Sequence, residues 1–187
     1  VASGTGLIGL DPGTGKTRLD YPWPMGDEMA RCVQSPVING DEVLLGTGFG
    51  QGTRRIKFAP KGDMLVGEDV WESTAISPYF TDFVIHEGHI YGFDGEFLTC
   101  VDLADGVSKW RRRGFQNGEV LLLPAQGLLL VQAEKSGDVA LVEAKPGACT
   151  VVGQFKAIKG KTWNHPVIAH GKLFLRNGEE MACYDVS

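Results

Sequence analysis

Short apolar runs, broken every few residues by glycine, proline or an acid, follow one another along the whole of this 187-residue chain. Two kinds of run alternate. In the first, two or three apolar residues meet a brief turn and then a second apolar pair. Its copies are Pro36-Val37-Ile38-Asn39-Gly40-Asp41-Glu42-Val43-Leu44, Phe83-Val84-Ile85-His86-Glu87-Gly88-His89-Ile90-Tyr91, Leu121-Leu122-Leu123-Pro124-Ala125-Gln126-Gly127-Leu128-Leu129 and Pro166-Val167-Ile168-Ala169-His170-Gly171-Lys172-Leu173-Phe174. Each predicts a strand, a tight turn and a strand. The turn glycines Gly40, Gly88, Gly127 and Gly171 recur at intervals of 48, 39 and 44 residues.

The second kind is an apolar strand that ends in an acid, with glycine four residues later. Its copies start at Asp11, Asp102 and Glu143, and Asp185 begins a fourth that is cut short. The interval from Asp11 to Asp102 has room for one more, expected over residues 56–62 with Phe58 in the acid's place. An acid there can accept backbone amides of its own turn, and glycine tolerates the positive φ such turns need.

Alternation of the two kinds gives four short antiparallel strands in roughly 40–45 residues, which is a propeller blade. Blades stack through both faces, so their inner strands read as continuous apolar runs, as in Leu128-Leu129-Leu130-Val131. No segment has sustained helical periodicity with caps. The expected fold is all-β, a propeller of four-stranded antiparallel blades forming one domain or fragment over residues 1–187. The expected blades are 1–30 (partial), 31–72, 73–114, 115–157 and 158–187 (partial). Three whole blades between two partial ones read as a piece of a larger propeller, with a closed four-bladed ring as second choice.

The stretch Cys100-Val101-Asp102-Leu103-Ala104-Asp105-Gly106-Val107-Ser108-Lys109-Trp110 resembles the repeat of pyrroloquinoline-quinone-type propellers, and Leu10-Asp11-Pro12-Gly13-Thr14-Gly15-Lys16 matches its central part. The resemblance implies that Trp110, and Trp71 one blade earlier, pack between blades, with Leu19 and Val151 at the equivalent places. It implies structural roles for Asp11, Asp102, Glu143 and Asp185 as well. The family includes quinoprotein dehydrogenases, the outer-membrane assembly lipoprotein (a protein-binding propeller without cofactor) and bacterial members without assigned activity. The segment 84–95 is most similar to the last group.

Composition narrows the partners. The net charge is −5, and Arg111-Arg112-Arg113 is the one basic run. Nucleic-acid binding would need many clustered phosphate-neutralising side chains. No apolar run reaches the length of a membrane-spanning helix. No signal peptide is visible, and a first residue of Val1 rather than Met fits an excised piece. By resemblance, the expected location is periplasmic or extracellular, in an exported bacterial protein. Cys32, Cys100, Cys149 and Cys183 are scattered, which disfavours a zinc or redox motif and favours free buried thiols.

The sharpest chemical signal is a decoy. Asp11-Pro12-Gly13-Thr14-Gly15-Lys16-Thr17 looks like a phosphate-binding loop, but Leu10 replaces the leading glycine. The following prolines also forbid the helix such a loop must open. His86, Glu87 and His89 lie about a hairpin turn, where a solvated repeat position is favoured over a metal site. A quinone-dependent dehydrogenase would need a catalytic Asp, a calcium site with Glu and Asn, and a stacking Trp. No such constellation carries over, so no catalytic residue is assigned.

The reading is a non-catalytic binding or scaffold propeller without cofactor, taking a protein, peptide or glycan. The alternative is a fragment of a dehydrogenase with pyrroloquinoline quinone and calcium. Loops joining one blade to the next, or second strand to third, reach the funnel face. There Tyr79, Asp94, Trp163, Asn164, His165 and Arg176 are the ligand-binding candidates. Capping of blade ends is the blander role for Tyr79 and Trp163.

Overall fold

The computed structural model describes residues 1–23 and 36–187; Cys32 and the expected blade boundary at 30/31 lie outside them. Every regular element among the described residues is a strand. The chain divides into two compact units, Val1–Phe80 and Thr81–Ser187.

The first unit holds β1 (Ala2–Ser3), β2 (Gly6–Leu10), β3 (Thr17–Pro22), β4 (Val37–Asn39), β5 (Glu42–Thr47), β6 (Gly52–Lys61) and β7 (Met64–Ser73). They form one seven-stranded sheet in the order β1-β2-β3-β7-β6-β5-β4. Two antiparallel runs, β1-β2-β3 and β4-β5-β6-β7, join where β3 meets β7 in parallel at Leu19 and Leu65. Leu7, Leu19, Tyr21 and Trp23 of the first run share a core with Leu45, Ile56 and Phe58 of the second. Arg54 ties the runs further by donating to the Tyr21 hydroxyl (2.9 Å), while pairing with Glu72 of its own run (3.1 Å). Burial, helped by the Tyr21 hydrogen bond to Asp69, pushes the Tyr21 phenol up to about 12.

In the second unit, β8 (Val84–His86), β9 (His89–Asp94), β10 (Phe97–Asp102) and β11 (Ser108–Arg113) make one four-stranded sheet. A second comprises β12 (Glu119–Leu123), β13 (Leu128–Gln132), β14 (Asp138–Glu143) and β15 (Val151–Lys156). A three-stranded sheet of β16 (Val167–Ala169), β17 (Lys172–Arg176) and β18 (Met181–Asp185) follows.

Strand alternation sends neighbouring residues to opposite faces, and here both faces are used. Val120, Leu129, Val131, Ala140 and Val142 pack with Tyr91, Phe93, Leu98 and Cys100 of the preceding sheet. Leu130 and Val139 turn the other way, onto Leu173 and Leu175 of the next. Each fully buried leucine is worth about 1.5–3 kcal/mol of apolar transfer. Cys100 is buried, Cys149 half-buried and Cys183 exposed, all as free thiols, so burial of the thiols fails at Cys183.

Register corrects three sequence assignments. In every acid-led pair a bulge precedes the acid, between Gly9 and Leu10, Cys100 and Val101, and Leu141 and Val142. The same bulge lies between Arg55 and Ile56, so Lys57, not Phe58, occupies the acid's place. Hydrogen bonds agree: Phe58 N donates to Asp41 O as Leu103 N does to Gly88 O and Ala144 N to Gly127 O. Asp41, not Gly40, is therefore the counterpart of Gly88.

The third correction concerns tryptophan. Trp110 faces Cys100 across its strand pair, and the matching partner of Leu141 is Gly153, not Val151. The slip arises because Glu143 N bonds Thr150 O, whereas Asp102 N bonds Val107 O; the Glu143 turn is two residues longer. That longer turn meets its neighbour. Its Lys145 carbonyl accepts the Trp110 indole N–H (2.8 Å) and its Cys149 carbonyl accepts from Arg112 (3.3 Å).

Candidate functional site

The acid-led turns engage their acids locally. The Asp11 carboxylate accepts from the Gly13 and Thr14 amides and the Thr14 hydroxyl, which holds its pKa below the usual value. This is the stretch that looked like a phosphate loop, and its amides are already used. Asp102 is lowered by Lys109 (2.8 Å) and by the Ala104 amide. Glu143 is lowered by Lys145, and Asp185 by Lys172 and then Ser187. Trp71 lies opposite Arg55 on β6 and is partly buried.

The sequence candidates do not form one site. In the first unit Tyr79 packs edge-on between Phe49 (4.9 Å) and Phe80 (4.7 Å). Asp94, at the end of β9, forms an ion pair with Arg111, whose guanidinium lies over Phe97 at 4.2 Å; Arg113 lies over the same ring at 4.6 Å. Arg176 is exposed and contributes its carbonyl, which accepts from the Thr162 hydroxyl. His89 Nδ1 is 2.8 Å from the Glu87 carbonyl oxygen within its turn.

Trp163 and Asn164 do share a surface. They line an open cleft of about 350 Å³ with Lys161, Thr162, Asn177 and Gly178. The indole N–H of Trp163 donates to Glu134 Oε1 (2.8 Å), and the Lys161 ammonium sits 3.7 Å from the ring centroid. Glu134 also takes the Asn117 amide on Oε2, and its own carbonyl accepts from Thr162 N at 2.7 Å. Burial works to raise the Glu134 carboxyl, but the Trp163 and Asn117 hydrogen bonds overcome it and hold the pKa low. Glu134 and Lys161 carry no motif, and sequence reasoning missed them.

His165 belongs to a different group. Its Nε2 is 3.3 Å from Asp82 and its Nδ1 is 3.3 Å from Glu119. The three residues hold the same position in three successive sheets, each four residues before the last residue of its first strand: His86, Leu123 and Ala169. Glu119 opens β12, its side chain only 2% exposed, opposite Gln132, which is fully buried. A Cβ on Gly118 would fall 2.3 Å from the Gln132 carbonyl oxygen, so glycine lets β12 start this close to β13. Burial, with the Asp82 charge adding to it, pushes the Glu119 carboxyl up to about 7 against the pull of His165. His165 is raised, first by its bond to Asp82, with burial opposing.

Because the carboxylates sit on opposite nitrogens of one ring, they share no common point for an ion. Among the described residues no three His, Cys, Asp or Glu side chains gather as metal ligands. Calcium takes six to eight oxygens around one centre, and a calcium–quinone centre does not fit this trio.

No protein-family model matches the chain, and comparison with curated proteins finds no match. Among solved structures it is similar to BamB from Moraxella catarrhalis, with a TM-score of 0.68 over 99% of this chain and 54% of that one, at 14% identity. The fold is a partial β-propeller. The chain spans about half the length of BamB, and at that identity the likeness concerns fold alone. A computationally designed protein, Ika8, aligns over 86% of this chain and 71% of its own at a TM-score of 0.36 and 6% identity, too low to bear on the architecture.

Proposed function

We propose that this chain is part of a non-catalytic β-propeller scaffold of an exported bacterial protein, working in the periplasm or outside the cell. It binds a protein or peptide partner through the loops that precede the blades' first strands. One observation carries the reading. Trp163 is 51% exposed, yet its indole is fixed by Glu134 and its ring is covered by Lys161. An aromatic held in place before binding loses little entropy on contact, and such residues dominate the energy of protein interfaces. The adjoining cleft supplies a seat for one partner side chain. Likeness to the BamB fold supports a scaffold reading.

The test is selection of a displayed random-peptide library on the protein, followed by binding measurements with Trp163→Ala. Enriched peptides should lose about 2 kcal/mol or more, roughly thirtyfold in affinity. Absence of enrichment, or equal binding to the variant, would overturn the proposal.

A further inference from the structure

We infer that Asp82, His165 and Glu119 form a proton-operated latch, which fixes the Trp163-bearing loop while the imidazole is charged and frees it when the proton leaves. The inference rests on the reading of Trp163 as a binding residue, and names how that surface is regulated. His165 is two residues after Trp163, in the segment leading into β16. It is the link from that segment to Glu119 on β12 and to Asp82, which precedes β8.

The geometry makes the latch depend on protonation. A charged imidazole has two N–H groups, one for each carboxylate; a neutral one has a single N–H. After deprotonation, one carboxylate faces a ring lone pair at close range. Asp82 is partly solvated, at 35% exposure, and can turn to water. Glu119 cannot: neither of its oxygens has a hydrogen-bond partner, and its contact with His165 is an ion pair at 3.3 Å. Gln132 is its neutral neighbour on β13. The next charges along the loop, Glu134 and Lys161, pair with each other at 3.5 Å.

Both titrating groups move in one direction. As pH rises past neutrality Glu119 gains a negative charge while His165 loses its positive charge and one N–H, so the buried carboxylate is left facing a neutral ring. The segment then keeps the Thr162 and Trp163 bonds to Glu134 and the Thr162 hydroxyl on the Arg176 carbonyl.

The experiment is amide exchange of Thr162, corrected for its intrinsic rate, together with the Trp163 indole N–H resonance, from about pH 5.5 to 8.5. No peptide is present, so failed peptide selection would leave this result standing. Thr162 protection is expected to fall about tenfold across the range, one pH unit of linked proton release. In Glu119→Gln the drop should vanish, because a neutral amide can serve either ring nitrogen. In Asp82→Asn its midpoint should move to lower pH. A flat trace in the parent, an unchanged drop in Glu119→Gln, or an unmoved midpoint in Asp82→Asn would each overturn the latch.

Discussion

The two units use one repeat differently. In the second, the third strands end at their acids after five or six residues, and in the two four-stranded sheets the outer strand returns as a short edge. Lys109 and Arg111 to Arg113 keep the β11 edge charged, which discourages further pairing. In the first unit the Asp11 turn keeps the acid, but between β6 and β7 Lys57 stands in the acid's place. The strand continues, giving ten residues each to β6 and β7 around a two-residue turn at Gly62-Asp63. The extended β7 then reaches β3. Loss of one turn-forming side chain thus changes strand length, and strand length changes which edges are covered.

The largest test of this contrast is in the stacked core. Leu129→Ala empties space among Tyr91, Leu98 and Val142 and should cost about 2–5 kcal/mol. Hydrogen exchange should show the loss across β8 to β15, with β2, β3, β6 and β7 of the first unit much less affected. Uniform weakening of both units would mean that they do not fold as separate entities.

Next comes Glu119→Gln. The native carboxyl binds its proton more tightly than the unfolded one, whose value is 4.5. Stability is therefore lost as pH rises from that value through about 7. His165 slopes the same way, since its raised pKa gives stability at low pH that disappears above the native value. The shift of Glu119 corresponds to on the order of 3 kcal/mol at pH 8. Urea unfolding should find the variant more stable than the parent by up to that amount at pH 8 and nearly equal at pH 4. A variant no more stable at pH 8 would contradict the burial cost.

The smallest effect is expected at the hairpin that sets the first unit apart. Gly62 has φ 62°, and a Cβ there would meet nothing within 4 Å. Gly62→Ala should therefore cost only the backbone strain, about 1 kcal/mol. Exchange should rise in β6 and β7 and stay constant in the second unit; an effect on both would merge the two regions the comparison separates.

Much of the architecture was legible in the chain. Strand-turn-strand periodicity comes from alternation, positive-φ turns and acid–amide bonding, all fixed by residues a few places apart. Where local geometry varied, the reading slipped. The Glu143 turn carries two extra residues and moved the tryptophan position from Val151 to Gly153. Lys57 was passed over for Phe58 because a bulge, invisible in composition, sets the count.

His165 was singled out from its loop, but Asp82 and Glu119 were not. An Asp, a Glu and a His show no likeness as letters, and the intervals separating them, 37 and 46 residues, follow the unequal blades. Their common offset before each first strand would have exposed them, once hairpin register was known.

By itself, then, the sequence determined the blade repeat, because each blade is built from contacts local in the chain. It also determined the acid-led turns that end the strands. Tertiary structure alone decided that three inner-strand openings meet around one imidazole, and that Glu134 anchors Trp163 across 29 residues. Such contacts depend on how stacked sheets place their ends, and apolar packing between the sheets sets that placement without leaving a pattern in the polar residues it brings together.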